Sequence, residues 1–220
     1  ERLLYLGAVA LAGGILRVAH RGASGSAPEH SRAAFLRALE LGVDMIEMDI
    51  QLTRDGYLVV IHDDRLERTT NGPGAVREHT LAELKQLDAG SWFDARFSDE
   101  RILTLEEVID VVGRRAMLNL EIKSPPSDWS STALKTVAIL THVGLLGTTV
   151  ISCFDMLALQ KVRELSPAAR IGVLWHGPDW GDAWPWAREL AAWSFHPWSK
   201  VVTREGVAEA RSRGLRVLTW

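Results

Sequence analysis

The chain has 220 residues, 47% of them hydrophobic and 24% charged, with a net charge of -3. That composition excludes a disordered chain or a coiled coil and suits one large folded core. The single cysteine excludes a disulfide framework or an all-cysteine zinc site, and a weakly acidic chain without basic runs offers no field for nucleic acid.

The first feature is an apolar run, LLYLGAVALAGGIL (3–16), interrupted by Gly13 and Gly14. A spanning helix needs roughly 20 such residues, so no stable transmembrane span is expected. Segment 1–16 reads as a packed helix set apart from a body at 17–220, with a signal-peptide remnant or a membrane-surface contact as alternatives. RVAH (17–20) reads as a strand. Residues 28–42 read as a helix with Phe35, Leu36, Ala38 and Leu39 as its apolar stripe and Gly42 as its stop. DMIEMDIQL (44–52) is a strand, TRDG (53–56) a turn and YLVVIH (57–62) a hairpin partner; NGPG (71–74) is loop. LAELKQL (81–87) and LTLEEVIDVV (103–112) are helical, the second with Thr104 and Glu107 at capping-box spacing. Strands follow at 116–123, 148–153, 169–175, 191–197 and 215–220, with helices from about residue 129 to 141, from Asp155, over 184–190 and over 203–214.

Leaving out the hairpin partner, seven strands suit a parallel sheet, with helices between most of them. A (β/α)8 barrel needs eight; a doubly wound open sheet is the alternative. No GxGxxG or P-loop follows any strand, which removes the commonest nucleotide-binding reasons for such a sheet.

Polar residues concentrate at the strand ends: His20-Arg21-Gly22, Glu47-Met48-Asp49, His62-Asp63 and Glu121-Ile122-Lys123. A side-chain period of two puts Glu47 and Asp49 on one face, and aligns Glu121 with Lys123. Carboxylates in strands otherwise as apolar as DMIEMDI and AMLNLEIK need a compensating cation. An all-oxygen donor set suits one divalent cation, Mg2+ or Ca2+, better than zinc. Two histidines able to pass protons near neutral pH, with Arg21 and Lys123 to meet an anion, describe the cleavage of a phosphate ester.

HRG at 20–22 followed by APE at 27–29, then IEMDIQLTRDGYLVVIHDDRLERTTNGPG at 46–74, LEIK at 120–123 and RGLRVLTW at 213–220, resembles the glycerophosphodiester phosphodiesterases in order and content. The resemblance runs from about Arg17 to the end. It implies a TIM-type barrel with a small insertion after the second strand, at about 62–96. It implies Glu47, Asp49 and Glu121 as ligands of the divalent metal, His20 and His62 as the general acid and base, and Arg21 and Lys123 as phosphate contacts. The implied reaction releases glycerol 3-phosphate and an alcohol from a small glycerophosphodiester, with a substrate hydroxyl able to attack first through a cyclic phosphate.

Two departures stand out. The family usually continues PE with Asn-Thr, where this chain has His30-Ser31; Ser31 can still cap the following helix. The chain stops after its seventh barrel strand, so the family's final strand and helix are absent, which reads as a truncation. Phe154, Trp175 and Trp220 are expected at the substrate rim, where aromatic rings suit a cationic headgroup or a lipid chain. The alternatives are a lysophospholipase D-type enzyme acting on a lysophospholipid, or a non-catalytic phosphate-binding barrel. A cytoplasmic location is favoured, with export to the periplasm or medium left open; oligomeric state is not legible.

Overall fold

A computed structural model describes residues 15–123 and 125–220. The apolar segment expected at 1–16 lies almost entirely outside the described residues. No helix among the described residues is long and apolar enough to cross a membrane.

The first strand, β1 (Val18–His20), leads through a tight loop into α1 (Arg32–Glu40). Next come β2 (Met45–Leu52), β3 (Leu58–Val60), the short α2 (Leu81–Leu84) and β4 (Leu103–Thr104). The remaining elements alternate: α3 (Leu105–Val112), β5 (Met117–Ile122), α4 (Trp129–His142), β6 (Val150–Cys153), α5 (Met156–Leu165), β7 (Arg170–Trp175), α6 (Trp184–Glu189), β8 (Ser194–Pro197), α7 (Arg204–Ser212) and β9 (Arg216–Val217).

The sheet runs β4-β3-β2-β5-β6-β7-β8-β9, with β1 also paired to β2. Seven strands are mutually parallel, as expected, and β3 and β4 form an antiparallel extension. One edge of β2 is shared: β1 pairs with Met45–Glu47 and β3 with Ile50–Leu52, while β5 covers the opposite edge. All eight residues of β2 are buried, the signature of a strand covered on both faces. Ile46, Met48 and Ile50 pack into the core beneath the helices, and the alternate residues Glu47 and Asp49 face the barrel interior.

The parallel strands and their crossover helices make a TIM-type barrel. No hydrogen-bonded pairing joins β1 to β9 among the described residues. The sheet nevertheless curls far enough for Val18 and His20 of β1 to line one cavity with Leu218 and Trp220, which follow β9. Between β3 and β4 the chain folds over a small core of its own, formed by Val59, Ile61, Leu66, Val76, Leu84 and Ile102.

Three expectations shift. Leu36, placed in the apolar stripe of α1, is 40% exposed, and the buried face is Ala34, Phe35 and Ala38. At 100° per residue Leu36 points away from that face. Leu103 and Thr104, expected to be helical, pair with Val60 and Val59 as β4; Thr104 then caps α3 with the anticipated box to Glu107. Regular pairing in the last strand covers only Arg216–Val217, but Leu218 and Trp220 still donate to Phe195 and Pro197 of β8, which keeps the backbone extended.

Candidate active site

Three carboxylates meet inside the C-terminal end of the barrel. Glu47 and Asp49 project from β2, and Glu121 projects from β5, where it is the register partner of Asp49. One oxygen of each lies within 4.8 Å of the others, and all three side chains are buried. Glu47 Oε1 has no hydrogen-bond partner, and neither Asp49 oxygen accepts a well-formed hydrogen bond. Burial, reinforced by the neighbouring carboxylates, pushes Glu47 well above its usual range and Glu121 up to about 7. Asp49 is held low, at about 2, because His30, Lys123 and His62 outweigh the opposing effect of burial. Crowded anionic oxygens without partners are the electrostatic condition that a hard divalent cation relieves. The donor set fits such an ion.

Cationic groups ring the triad. Arg21 has φ +58, and this left-handed turn aims its backbone N–H at Glu47 Oε2, 2.9 Å away. Its guanidinium reaches Glu29 at 2.9 Å and approaches Asp49 at 3.5 Å. Gly22 follows with φ +78, where a Cβ would meet the Ala34 side chain at 2.9 Å, so the loop can close against α1 only with glycine. Lys123 Nζ lies 2.8 Å from Glu121 and 3.8 Å from Asp49; those anions raise its pKa against the effect of burial. His20 Nε2 stands 3.8 Å from Glu47 Oε2. Burial and then Arg21 draw the His20 pKa below 6.5.

His62 is oriented from behind. Its Nδ1 lies 2.6 Å from Asp63 Oδ1. Burial lowers the pKa of the imidazole, with Asp63 opposing that shift. Arg68 clamps both Asp63 oxygens, at 2.5 and 3.0 Å, and both Glu29 oxygens, at 2.8 and 3.0 Å. A continuous run of ion pairs therefore joins His62 to Arg21 through Asp63, Arg68 and Glu29. The Gln51 amide, buried on β2, donates to the carbonyls of Ile61, His62 and Asp63, which fixes the turn that carries His62. His30, at φ +60, places Nε2 3.2 Å from Asp49 Oδ2 and 3.3 Å from the Asp49 amide. This histidine thus touches the triad, in the place where the resemblance leads one to expect asparagine.

His20, Arg21, Glu47, His62, Glu121 and Lys123 open into one cavity, which holds about 720 Å³ of empty space when its open mouth is counted. The sequence profile of the glycerophosphoryl diester phosphodiesterase family matches residues 20–220. A glycerophosphodiester phosphodiesterase of Caldanaerobacter subterraneus is 40% identical over 208 residues, which cover 93% of this chain and 84% of that one. The chain belongs to the glycerophosphoryl diester phosphodiesterase family. A Bacillus subtilis glycerophosphodiester phosphodiesterase is 42% identical over 70% of this chain and 57% of its own length. Among solved structures, an Oleispira antarctica phosphodiesterase in complex with the product sn-glycerol-3-phosphate superposes with a TM-score of 0.85 at 33% identity, covering 92% of this chain and 83% of that one. A glycerophosphodiester phosphodiesterase of Agrobacterium tumefaciens gives 0.81 at 31%, covering 93% and 86%.

Of the residues expected in a site of this family, His20, Arg21, Glu47, His62, Glu121 and Lys123 line the cavity, and Asp49 is buried beside them. At the mouth Phe154 and Trp220 meet edge to face with centroids 5.2 Å apart, and Lys123 Nζ lies 5.8 Å above the Phe154 ring. Trp175 is not among the lining residues; its indole N–H donates to the Asp179 carbonyl and pins its own loop. Sequence reasoning did not single out Arg68 or Gln51. The signal available for Arg68 was its place in HDDRLER, six residues past His62, but nothing local says which carboxylates it grips.

Proposed function

We propose that the protein hydrolyses glycerophosphodiesters to glycerol 3-phosphate and an alcohol, with one divalent cation held by Glu47, Asp49 and Glu121. The observation that carries this reading is the buried cluster of under-satisfied carboxylate oxygens, set against Arg21, Lys123 and two imidazoles in a single cavity. When bound, a divalent cation of the Mg2+ or Ca2+ type supplies Lewis-acid polarisation of a phosphoryl oxygen. Arg21 and Lys123 dock the phosphate and neutralise charge that grows on its oxygens as phosphorus becomes five-coordinate. His20 and His62 form the proton-transfer pair: one removes the proton of the attacking hydroxyl, the other protonates the departing alkoxide. Both imidazoles have pKa values below 6.5, so the acceptor form is available at neutral pH. Asp63 holds the His62 ring by Nδ1 and leaves Nε2 for the proton that moves.

The test separates the ion from the proton shuttle. His62→Ala is expected to lose at least a hundredfold in kcat toward glycerophosphocholine, in line with a typical acid–base contribution of roughly 10²–10⁴, with cation affinity by calorimetry nearly intact. Glu47→Gln is expected to lose both. A Glu47→Gln protein that binds Mg2+ and Ca2+ as tightly as the wild type contradicts the ligand set. The exposed aromatic mouth favours a second reading, cleavage of a lysophospholipid; the same assay with lysophosphatidylcholine decides it, since a lipid-selective enzyme turns that substrate over faster.

A further inference from the structure

The end of the barrel opposite the cavity carries a charge pattern of its own. Six loops return there from a helix to the next parallel strand: 41–44, 113–116, 143–149, 166–169, 190–193 and 213–215. Asp44 is the one acidic residue among them. Arg114, Arg115 and Arg213 stand in these loops, Arg17 precedes β1, and Arg170 and Arg216 open β7 and β9. A chain with a net charge of -3 thus closes one end with a ring of guanidiniums.

Most of that charge is uncompensated. Arg17 pairs with Asp44 at 3.6 Å and Arg213 with Glu209 at 2.8 Å. Among the described residues the other four have no carboxylate within ion-pair reach. Arg114 donates to the carbonyls of Val143 and Gly144, and Arg115 to those of Val111 and Val112, at the C-terminal ends of α4 and α3. Those bonds satisfy N–H groups and leave the positive charge unpaired. Arg170 and Arg216 lie over the ring of Trp193, 5.1 and 4.2 Å from its centroid. Burial, and then the charge of Arg216, lower the pKa of Arg170.

Apolar side chains share this end. Leu41 and Leu165, at the ends of α1 and α5, are 50% and 42% exposed, and Ile15, at the entry to β1, is 96% exposed. The apolar run LLYLGAVALAGGIL (3–16) therefore meets the fold here, beside Arg17. An apolar chain next to a basic patch is the pair of signals that holds a protein on an anionic bilayer, where either signal alone binds only marginally. A soluble anion would engage the arginines and leave the apolar side chains in water.

We propose that this end of the barrel docks on an anionic lipid bilayer, with the arginines against the headgroups and Ile15, Leu41 and Leu165 toward the acyl boundary. The cavity opens at the opposite end, so the docked protein keeps its mouth toward water. The test is co-sedimentation of the full chain with vesicles of phosphatidylcholine alone and of equal parts phosphatidylcholine and phosphatidylglycerol. The wild type is expected to prefer the anionic vesicles and to release them at high ionic strength. Arg170→Gln/Arg216→Gln is expected to bind them roughly thirtyfold more weakly, from about fivefold for each arginine, with its fold intact by circular dichroism. If that pair does not fold, Arg114→Gln/Arg115→Gln carries the comparison with the same expectation. Lys200→Gln, beside Trp198 on the mouth side, is expected to leave binding unchanged. The proposal is overturned by a wild type that ignores anionic vesicles or binds both kinds equally. Unaltered affinity in a folded arginine pair, or an equally large loss in Lys200→Gln, overturns it as well.

Discussion

Arg68 grips two carboxylates that serve different parts of the cavity, Asp63 behind His62 and Glu29 beside Arg21. Fork geometry lets one guanidinium satisfy both, which an ammonium cannot do. Arg68→Met is therefore expected to lower kcat roughly ten- to a hundredfold, a part of the acid–base contribution, as His62 and Arg21 lose their shared support. The same contact has a pH signature. Burial opposes ionisation of Glu29, but Arg68 and Arg21 bring its pKa down to about 2, so it binds protons less readily folded than unfolded. The stability it contributes is fully present above its unfolded value of about 4.5 and is lost as pH falls toward 2. The Tm gap between wild type and Arg68→Met should be steady above about pH 4.5 and close on acidification through that window; a gap that does not depend on pH contradicts the pairing. Alternation along β2 and β5 made the shared facing of Glu47 with Asp49 and of Glu121 with Lys123 legible in the sequence, whereas His20, Arg21 and His62 were legible through the HRG and HD motifs that carry the family resemblance. Arg68 was not, because its partner Glu29 is 39 residues away and no local pattern encodes a pairing at that distance.

Among the elements, α1 decides where the loop that carries Arg21 ends. Ser31 accepts from the Ala34 amide, and the Glu100 carboxylate takes the amides of Arg32 and Ala33, so the exposed donors of the first turn are met by two side chains. Ser31→Ala should cost about 1 kcal/mol of stability by denaturant unfolding; an unchanged midpoint would show that Glu100 alone caps the helix. The capping role of Ser31 was readable from the PEHS sequence, and that of Glu100 was not, since it reaches α1 from 68 residues further along the chain. The order of strands and helices was likewise readable from period and turn residues. The strand β4 was hidden because Leu103 and Thr104 continue the apolar pattern of the helix they precede, and only pairing with β3 makes them a strand. Trp175, expected at the substrate rim, ends β7 with its indole turned into its own loop by Asp179, a contact no strand-end rule foresees.

Across the whole molecule, the parallel sheet gathers into one cavity residues from β1, β2, β5, β7 and β8, separated by up to 178 positions between Val18 and His196. That convergence sets Arg21 and Lys123 beside the three buried carboxylates, which under the proposed function would serve as the oxygen ligands of a divalent ion. Cys153, the one cysteine, is buried, and burial pushes its thiol up to about 12. The central claim is that hydrolysis depends on a divalent cation bound by Glu47, Asp49 and Glu121. The direct measurement is turnover of glycerophosphocholine after exhaustive chelation, followed by addition of Mg2+ or Ca2+. The account predicts loss of activity on chelation and recovery with at least one of these ions, in the wild type and not in Glu121→Gln. Full turnover by the chelated, metal-free enzyme would contradict it.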